Sequence, residues 1–206
     1  MANKIYTRSG DRGQTSLFNG DRRNKDDPIF DALGNLDEFS AQIGVLCSSI
    51  DDDDEENARQ ILLDIMSRLL DIGSLIATPI STTTNKSKLK RTSIDLSQEI
   101  INLEQLIDLY TNQCTPLKNF ILPTGTFSSA QSHVVRAVCR RTERSIVNLS
   151  LLNESDIPKD VLIYINRLSD FFFSFARYLN FKKQNEKNKK NNLQLEIIYK
   201  KKKEQV

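Results

Sequence analysis

The chain has 206 residues, 27% of them charged and 38% hydrophobic, with no Trp and a single His. That length suits one domain with a proper core, plus an extension. The net charge of +2 is unevenly spread: residues 182–206 hold nine Lys against three Glu, a net of +6, so residues 1–181 carry −4. No apolar run approaches the roughly 18 residues of a transmembrane helix. The first residues lack the apolar core of a secretory signal. Cys47, Cys114 and Cys139 are odd in number and have no CxxC spacing, which argues against a disulfide framework or zinc site and for a reducing compartment. His133 alone excludes a multi-histidine metal centre.

In chain order, Lys4 to Thr7 carries the one strand signal. Phe30, Leu33, Leu36, Phe39, Ile43, Leu46 and Ile50 then recur in steps of three and four, the apolar stripe of a first helix. The acidic run Asp51 to Glu56 reads as a solvated loop leading into a second helix, whose stripe is Ile61, Leu62, Ile65, Leu69, Ile72 and Ile76. Pro79 and the Ser/Thr-rich stretch 81–87 break the chain. Thr92 with Asp95 fits a capping box that opens a third helix, with Ile100, Leu103, Ile107 and Tyr110 on one face. Pro116 to Thr126 is a loop. A fourth helix is predicted over 128–150 and a fifth over 158–181, with Pro158 suited to a first turn. The expected architecture is all-α: a five-helix bundle over 1–181, followed by a Lys/Asn-rich tail over 182–206 that is too polar to order itself. A nucleic-acid or acidic-membrane contact is the functional alternative for that tail, but no aromatic residues interleave its lysines.

Three segments carry chemistry. Thr7-Arg8-Ser9-Gly10-Asp11-Arg12-Gly13-Gln14-Thr15-Ser16 is a Gly-rich loop whose backbone N–H groups and arginines could cradle phosphate, with Lys25 as a further contact. It is not a Walker A sequence, and by itself it fits an ordinary surface turn equally well. On the fourth helix, Arg136, Arg140 and Glu143 fall on one narrow face beside an apolar one. On the fifth, Asn166, Asp170 and Arg177 form a polar stripe in an apolar helix, and such a stripe needs partners. Asp37 and Glu38 on the first helix supply carboxylates for the arginine face.

These pieces stand in a particular order. Lys4-Ile5-Tyr6-Thr7-Arg8-x-Gly10-Asp11-x-Gly13-x-Thr15 comes first, then Gly34-x-x-Asp37-Glu38-Phe39 and Phe120-Ile121-Leu122-Pro123-x-Gly125. Arg136-x-x-x-Arg140-Arg141-x-Glu143-Arg144 and Asn166-Arg167-Leu168-Ser169-Asp170 follow. The set resembles the ATP:cob(I)alamin adenosyltransferases of the propanediol-utilisation type, from about residue 4 to 180. The resemblance implies a trimer with active sites between subunits. It implies ATP against the N-terminal Gly-rich nucleotide-binding loop at Thr7, Arg8, Gly10, Asp11, Gly13 and Thr15, with Lys25 on the phosphates. Arg140, Glu143 and Asn166 would complete the nucleotide site, Arg136 would pair with Asp37 across the subunit boundary, and Phe120 would sit by the corrin ring. ATP and cob(I)alamin are the implied substrates, with Mg²⁺ as cofactor of unassigned ligation. A cobalamin-dependent enzyme is the implied recipient of the product. Neither nucleic acid nor membrane is implied. The implied compartment is the cytoplasm of a prokaryote or the mitochondrial matrix of a eukaryote. Where the family reads Leu-Pro-Gly-Gly, this chain has Leu122-Pro123-Thr124-Gly125, so a positive φ at the first glycine would strain Thr124. From the residues alone, Phe120 reads as a core residue anchoring its loop. A non-catalytic ATP- or cobalamin-binding sensor or delivery protein is the alternative, and it predicts binding without turnover.

Overall fold

The computed structural model describes residues 4–6, 8–50, 56–152, 156–188 and 195–200. The elements are β1 (Gln14–Ser16), β2 (Arg22–Asn24), α1 (Pro28–Ser48), α2 (Glu56–Ile76), α3 (Lys86–Thr92), α4 (Ser97–Gln113), α5 (Phe127–Leu152) and α6 (Lys159–Asn188). Five long helices form the bundle. They pack in the order α2–α1–α5–α6–α4, so α5 and α6 lie at its centre. Among the described residues no helix is long and apolar enough to cross a membrane.

The apolar stripes explain this packing. Leu36, Phe39, Ile43 and Leu46 of α1 and Leu62, Ile65, Leu69 and Ile72 of α2 are all buried, as their three-and-four spacing requires. The core is richest around α6, where Phe171, Phe172 and Phe175 are fully buried. Phe172 meets Phe39 edge-on at 5.8 Å, and Tyr110 of α4 packs on Phe175 at 5.3 Å. Edge-to-face and tilted pairs at these separations add to simple area burial.

Several boundaries depart from the sequence reading. Lys4–Tyr6 is not a strand; the strands are β1 and β2, an antiparallel hairpin pairing Thr15 with Arg23. Thr92 is not a cap but the last residue of the short helix α3, where its hydroxyl donates to Lys88 O at 3.1 Å. The start of α4 has two carboxylate acceptors: Asp95 Oδ1 accepts from Ser97 N–H at 3.0 Å, and Asp160 Oδ2 of α6 accepts from Leu96 N–H at 3.0 Å. Asp95, and not Thr92, is the local residue that serves the helix start. The acidic run 51–55 and Thr7 lie outside the described residues. The tail also departs from its composition. α6 continues to Asn188, and residues 195–200 return to the body, with an antiparallel bridge between Ile198 and Ile121. Composition averages over a segment, and it misses six residues whose backbone and one carboxylate find partners elsewhere.

Candidate functional site

The N-terminal loop is a run of turns held by its own backbone, with Asp11 N–H donating to Arg8 O and Gly13 N–H to Gly10 O. The β1–β2 hairpin brings Lys25 back onto the loop, where Lys25 N–H donates to Gly13 O at 2.9 Å. A Cβ at Gly10 would stand 3.1 Å from Lys25 Nζ, so the absence of a side chain there lets the ammonium close over the backbone. Arg8 adopts a left-handed φ of 58°, an uncommon conformation for a non-glycine residue, and its guanidinium lies over the Tyr6 ring. The structure therefore gathers Arg8, Gly10, Asp11, Gly13, Thr15 and Lys25 into one turn system. The loop is anchored toward α2 and α3: Phe18 N–H donates to Ala77 O, Asn19 Nδ2 to Thr83 Oγ1, and Lys88 Nζ to Phe18 O.

The second cluster spans α5 and α6. Asn166 Nδ2 donates to Glu143 Oε1 at 2.8 Å, and Arg167 Nη1 donates to Asn166 Oδ1 at 3.1 Å. Arg140 lies exposed less than a turn before Glu143. Thus Arg140, Glu143 and Asn166 share one polar face, with Glu143 held as an acceptor by the neighbouring helix. Of the two α1 carboxylates, Glu38 is spent within the chain on an ion pair to Arg141, whose Nε also donates to Asn35 Oδ1. Asp37 remains exposed, at the rim of a mostly apolar cleft of about 360 Å³ between α1 and α2.

The third feature is the loop 114–126 and the α5 turns that follow it. Phe120 is 86% exposed at the loop, so it is not the core anchor that its residue type suggests. Thr124 is not strained: the positive φ falls on Gly125, at 122°, one position further on. Deeper in, His133 is buried edge-on to Phe173, and the Arg136 guanidinium lies 5.8 Å from the centre of the same ring. Arg136 Nε, His133 Nδ1 and Thr124 Oγ1 are buried without hydrogen-bond partners among the described residues. Burial pushes the imidazole of His133 down to about 4, with Arg136 adding to the shift and Glu196 opposing it. The one histidine is therefore neutral and a weak base. Burial likewise raises the Cys139 thiol far above its ordinary value, and its S–H donates to Ile165 O. Neither group is an activated nucleophile.

The Gly-rich loop and the Arg140–Glu143–Asn166 cluster are thus carried by different parts of the chain, the first before α1 and the second on α5 and α6. Arg136 and Asp37 form no ion pair with each other inside the chain. The sequence motif includes Arg141 but does not indicate its partners Glu38 and Asn35. Phe173 and Asn180 carry no local signal, because both act through residues distant in sequence.

A family model described as cobalamin adenosyltransferase matches residues 5–179. The chain belongs to the cobalamin adenosyltransferase family. It is 43% identical to the human corrinoid adenosyltransferase MMAB over 183 residues, 89% of this chain and 71% of the relative. It is 37% identical to a corrinoid adenosyltransferase of Bacillus subtilis, covering 86% of each. Among solved structures, it is similar to a variant of the PduO-type ATP:corrinoid adenosyltransferase from Lactobacillus reuteri complexed with cobalamin and ATP. That match has a TM-score of 0.83 and 36% identity, over 96% of this chain and all of the other. The enzyme's described body therefore matches a whole relative, and the bundle is the family's own.

Proposed function

We propose that the enzyme transfers the 5′-deoxyadenosyl group of ATP to the cobalt of cob(I)alamin, giving adenosylcobalamin and triphosphate. The observation that carries this reading is the match, over nearly the whole chain, to a relative solved with cobalamin and ATP together. The cobalt electron pair forms the bond to C5′, the C5′–O5′ bond breaks, and its electron pair leaves on the triphosphate. The nucleophile is thus supplied by a substrate. A protein with one buried, weakly basic His and a buried, protonated Cys139 suits such a reaction.

The chain's task is then positioning and charge stabilisation. Thr7, Arg8, Gly10, Asp11, Gly13 and Thr15 hold the nucleotide, and Lys25, folded over Gly10, meets the triphosphate. Arg140, Glu143 and Asn166 complete the nucleotide site. A site shared between subunits of a homotrimer would bring the Gly-rich loop of one chain to the Arg140–Glu143–Asn166 cluster of another. Arg136 of one subunit pairs there with Asp37 of the next; within its own chain the exposed Asp37 makes no ion pair with Arg136, whose guanidinium lies over Phe173. Phe120, exposed rather than packed, lies against the corrin and excludes a lower axial ligand. Among the described residues no group of three or more His, Cys, Asp and Glu could hold a metal ion. Mg²⁺, the cofactor, would be held mainly by the ATP phosphates and water, with few protein ligands. The product passes to a cobalamin-dependent enzyme, without nucleic acid or membrane. The site of action is the cytoplasm in a prokaryote or the mitochondrial matrix in a eukaryote.

Incubation with Mg²⁺–ATP and chemically reduced cobalamin tests the reading. The cobalamin spectrum should change as triphosphate is released, in equal amounts. Folded protein that binds ATP but gives no spectral change would refute it.

A further inference from the structure

The loop 114–126 is long, contains no secondary structure of its own and exposes Phe120. It would be floppy if nothing held it. Two residues of α6 hold it. Asn180, 3% exposed, uses both ends of its amide: Nδ2 donates to Thr124 O at 2.9 Å, and Oδ1 accepts from Thr126 N–H at 3.0 Å. Gly125 lies between those two contacts, and a Cβ there would run into the Asn180 side chain. Arg177, 4% exposed, lies three residues earlier and so on the same helix face. Its Nη2 donates to Thr115 O at 2.6 Å, at the other end of the loop, and its Nε donates to Glu196 Oε1 at 2.8 Å.

Glu196 belongs to the returning C-terminal segment. That segment runs along the middle of the loop, where Leu122 N–H donates to Ile197 O and Tyr199 N–H donates to Phe120 O, each at 2.8 Å. One helix face therefore fixes the entry of the loop, its exit and the strand beside it. The hydrogen bonds of both residues go to this loop and segment, whereas the β1–β2 turn at Phe18 and Asn19 is held from Ala77, Thr83 and Lys88.

We infer that Arg177 and Asn180 are positioning residues that hold loop 114–126 and segment 195–200 as one unit and set the enzyme's grip on the corrinoid, not on ATP. This rests on the reading that Phe120 faces the corrin. The burial of both side chains fits the assignment: a buried guanidinium is costly unless paired, and this one gains a carboxylate and a carbonyl.

Steady-state kinetics on Asn180→Ala, Arg177→Met and Arg177→Lys supply the first arm. The first two should raise KM for reduced cobalamin about tenfold while KM for ATP stays within about twofold. Arg177→Lys keeps the charge toward Glu196 and should recover part of the loss. If Asn180→Ala does not fold, Asn180→Asp serves, because it keeps size but turns an oxygen toward Thr124 O. The second arm needs no turnover. The chain has no Trp, so Phe120→Trp places the sole Trp on the loop, where excitation at the red edge of its absorption avoids the five Tyr. Its steady-state anisotropy should fall when Asn180→Ala or Arg177→Met is added, at unchanged thermal midpoint. Equal rises in both KM values with a lowered midpoint would mean a general structural role and overturn the inference. Unchanged anisotropy and unchanged corrinoid KM would overturn it as well. If the native enzyme shows no turnover of cobalamin, the functional reading fails, and the anisotropy alone decides whether the two residues hold the loop.

Discussion

Gly125→Ala is the sharpest single perturbation that the structure offers. At φ 122° an alanine sits in backbone space that L-residues rarely occupy, which costs about 1–3 kcal/mol. Its Cβ would also overlap the Asn180 amide, closer than the 3.0 Å that real Cβ atoms keep. Asn180 is buried and cannot swing aside, so one or both of its hydrogen bonds to the loop must go. Each is worth about 1 kcal/mol net. The sum is about 2–5 kcal/mol if the loop stays attached. Local opening limits that sum, because a loop can detach before the bundle unfolds. Urea unfolding combined with KM measurements separates the two outcomes. A large fall in midpoint means a strained but attached loop. A small fall with a higher KM for reduced cobalamin means a detached one. The double variant Gly125→Ala/Asn180→Ala is decisive, since removing the amide removes the clash. Its destabilisation should be smaller than the sum of the single effects by at least about 1 kcal/mol. Strict additivity together with an unchanged corrinoid KM would refute the reasoning.

If Arg136 and Asp37 pair across a trimer boundary as proposed, Asp37→Ala and Arg136→Ala should each cost about 3–5 kcal/mol of subunit association, because the surviving partner is left unpaired; light scattering should show a looser assembly than the native one, and native mass with native kinetics would contradict the pairing. Phe120→Ala should leave the unfolding midpoint and ATP binding intact, since the ring is 86% exposed, yet slow adenosylation of reduced cobalamin. His133 has a folded pKa below its unfolded value, so its contribution to stability is complete above about pH 6.5 and is lost as pH falls toward 4. Urea midpoints for His133→Gln should therefore fall less steeply than native ones between those limits.

The long helices were legible because each carries a stripe such as Leu36, Phe39, Ile43 and Leu46, whose period admits one answer. α3 was not, since Lys86–Thr92 has no apolar stripe; Asn85, which caps Ser87 and Lys88 N–H, was the signal available. The hairpin of β1 and β2 was missed because three-residue polar strands have no alternation to read. In the site, Arg140, Glu143 and Asn166 could be chosen from helical spacing, and the Glu143–Asn166 bond brings two of them together. Asn180 could not, because Thr124 and Thr126 lie more than fifty residues away and nothing beside Asn180 hints at them. Phe120 was misjudged on residue type, since hydrophobicity alone does not distinguish a buried ring from an exposed one.

The bridge between Ile121 and Ile198 also sets an order of events during synthesis. Chains are made from the N-terminus at about 5–20 residues per second, and domains fold as their segments emerge. The main contacts of α1, α2, α4, α5 and α6 can form before Glu196 has left the ribosome. The loop around Phe120 cannot be clasped until it has. A chain ending short of Glu196 would accordingly keep its bundle and its Gly-rich turn while losing the segment that runs beside the Phe120 loop, the side proposed to meet the corrin. Such a truncation would damage one substrate's site and spare the other's.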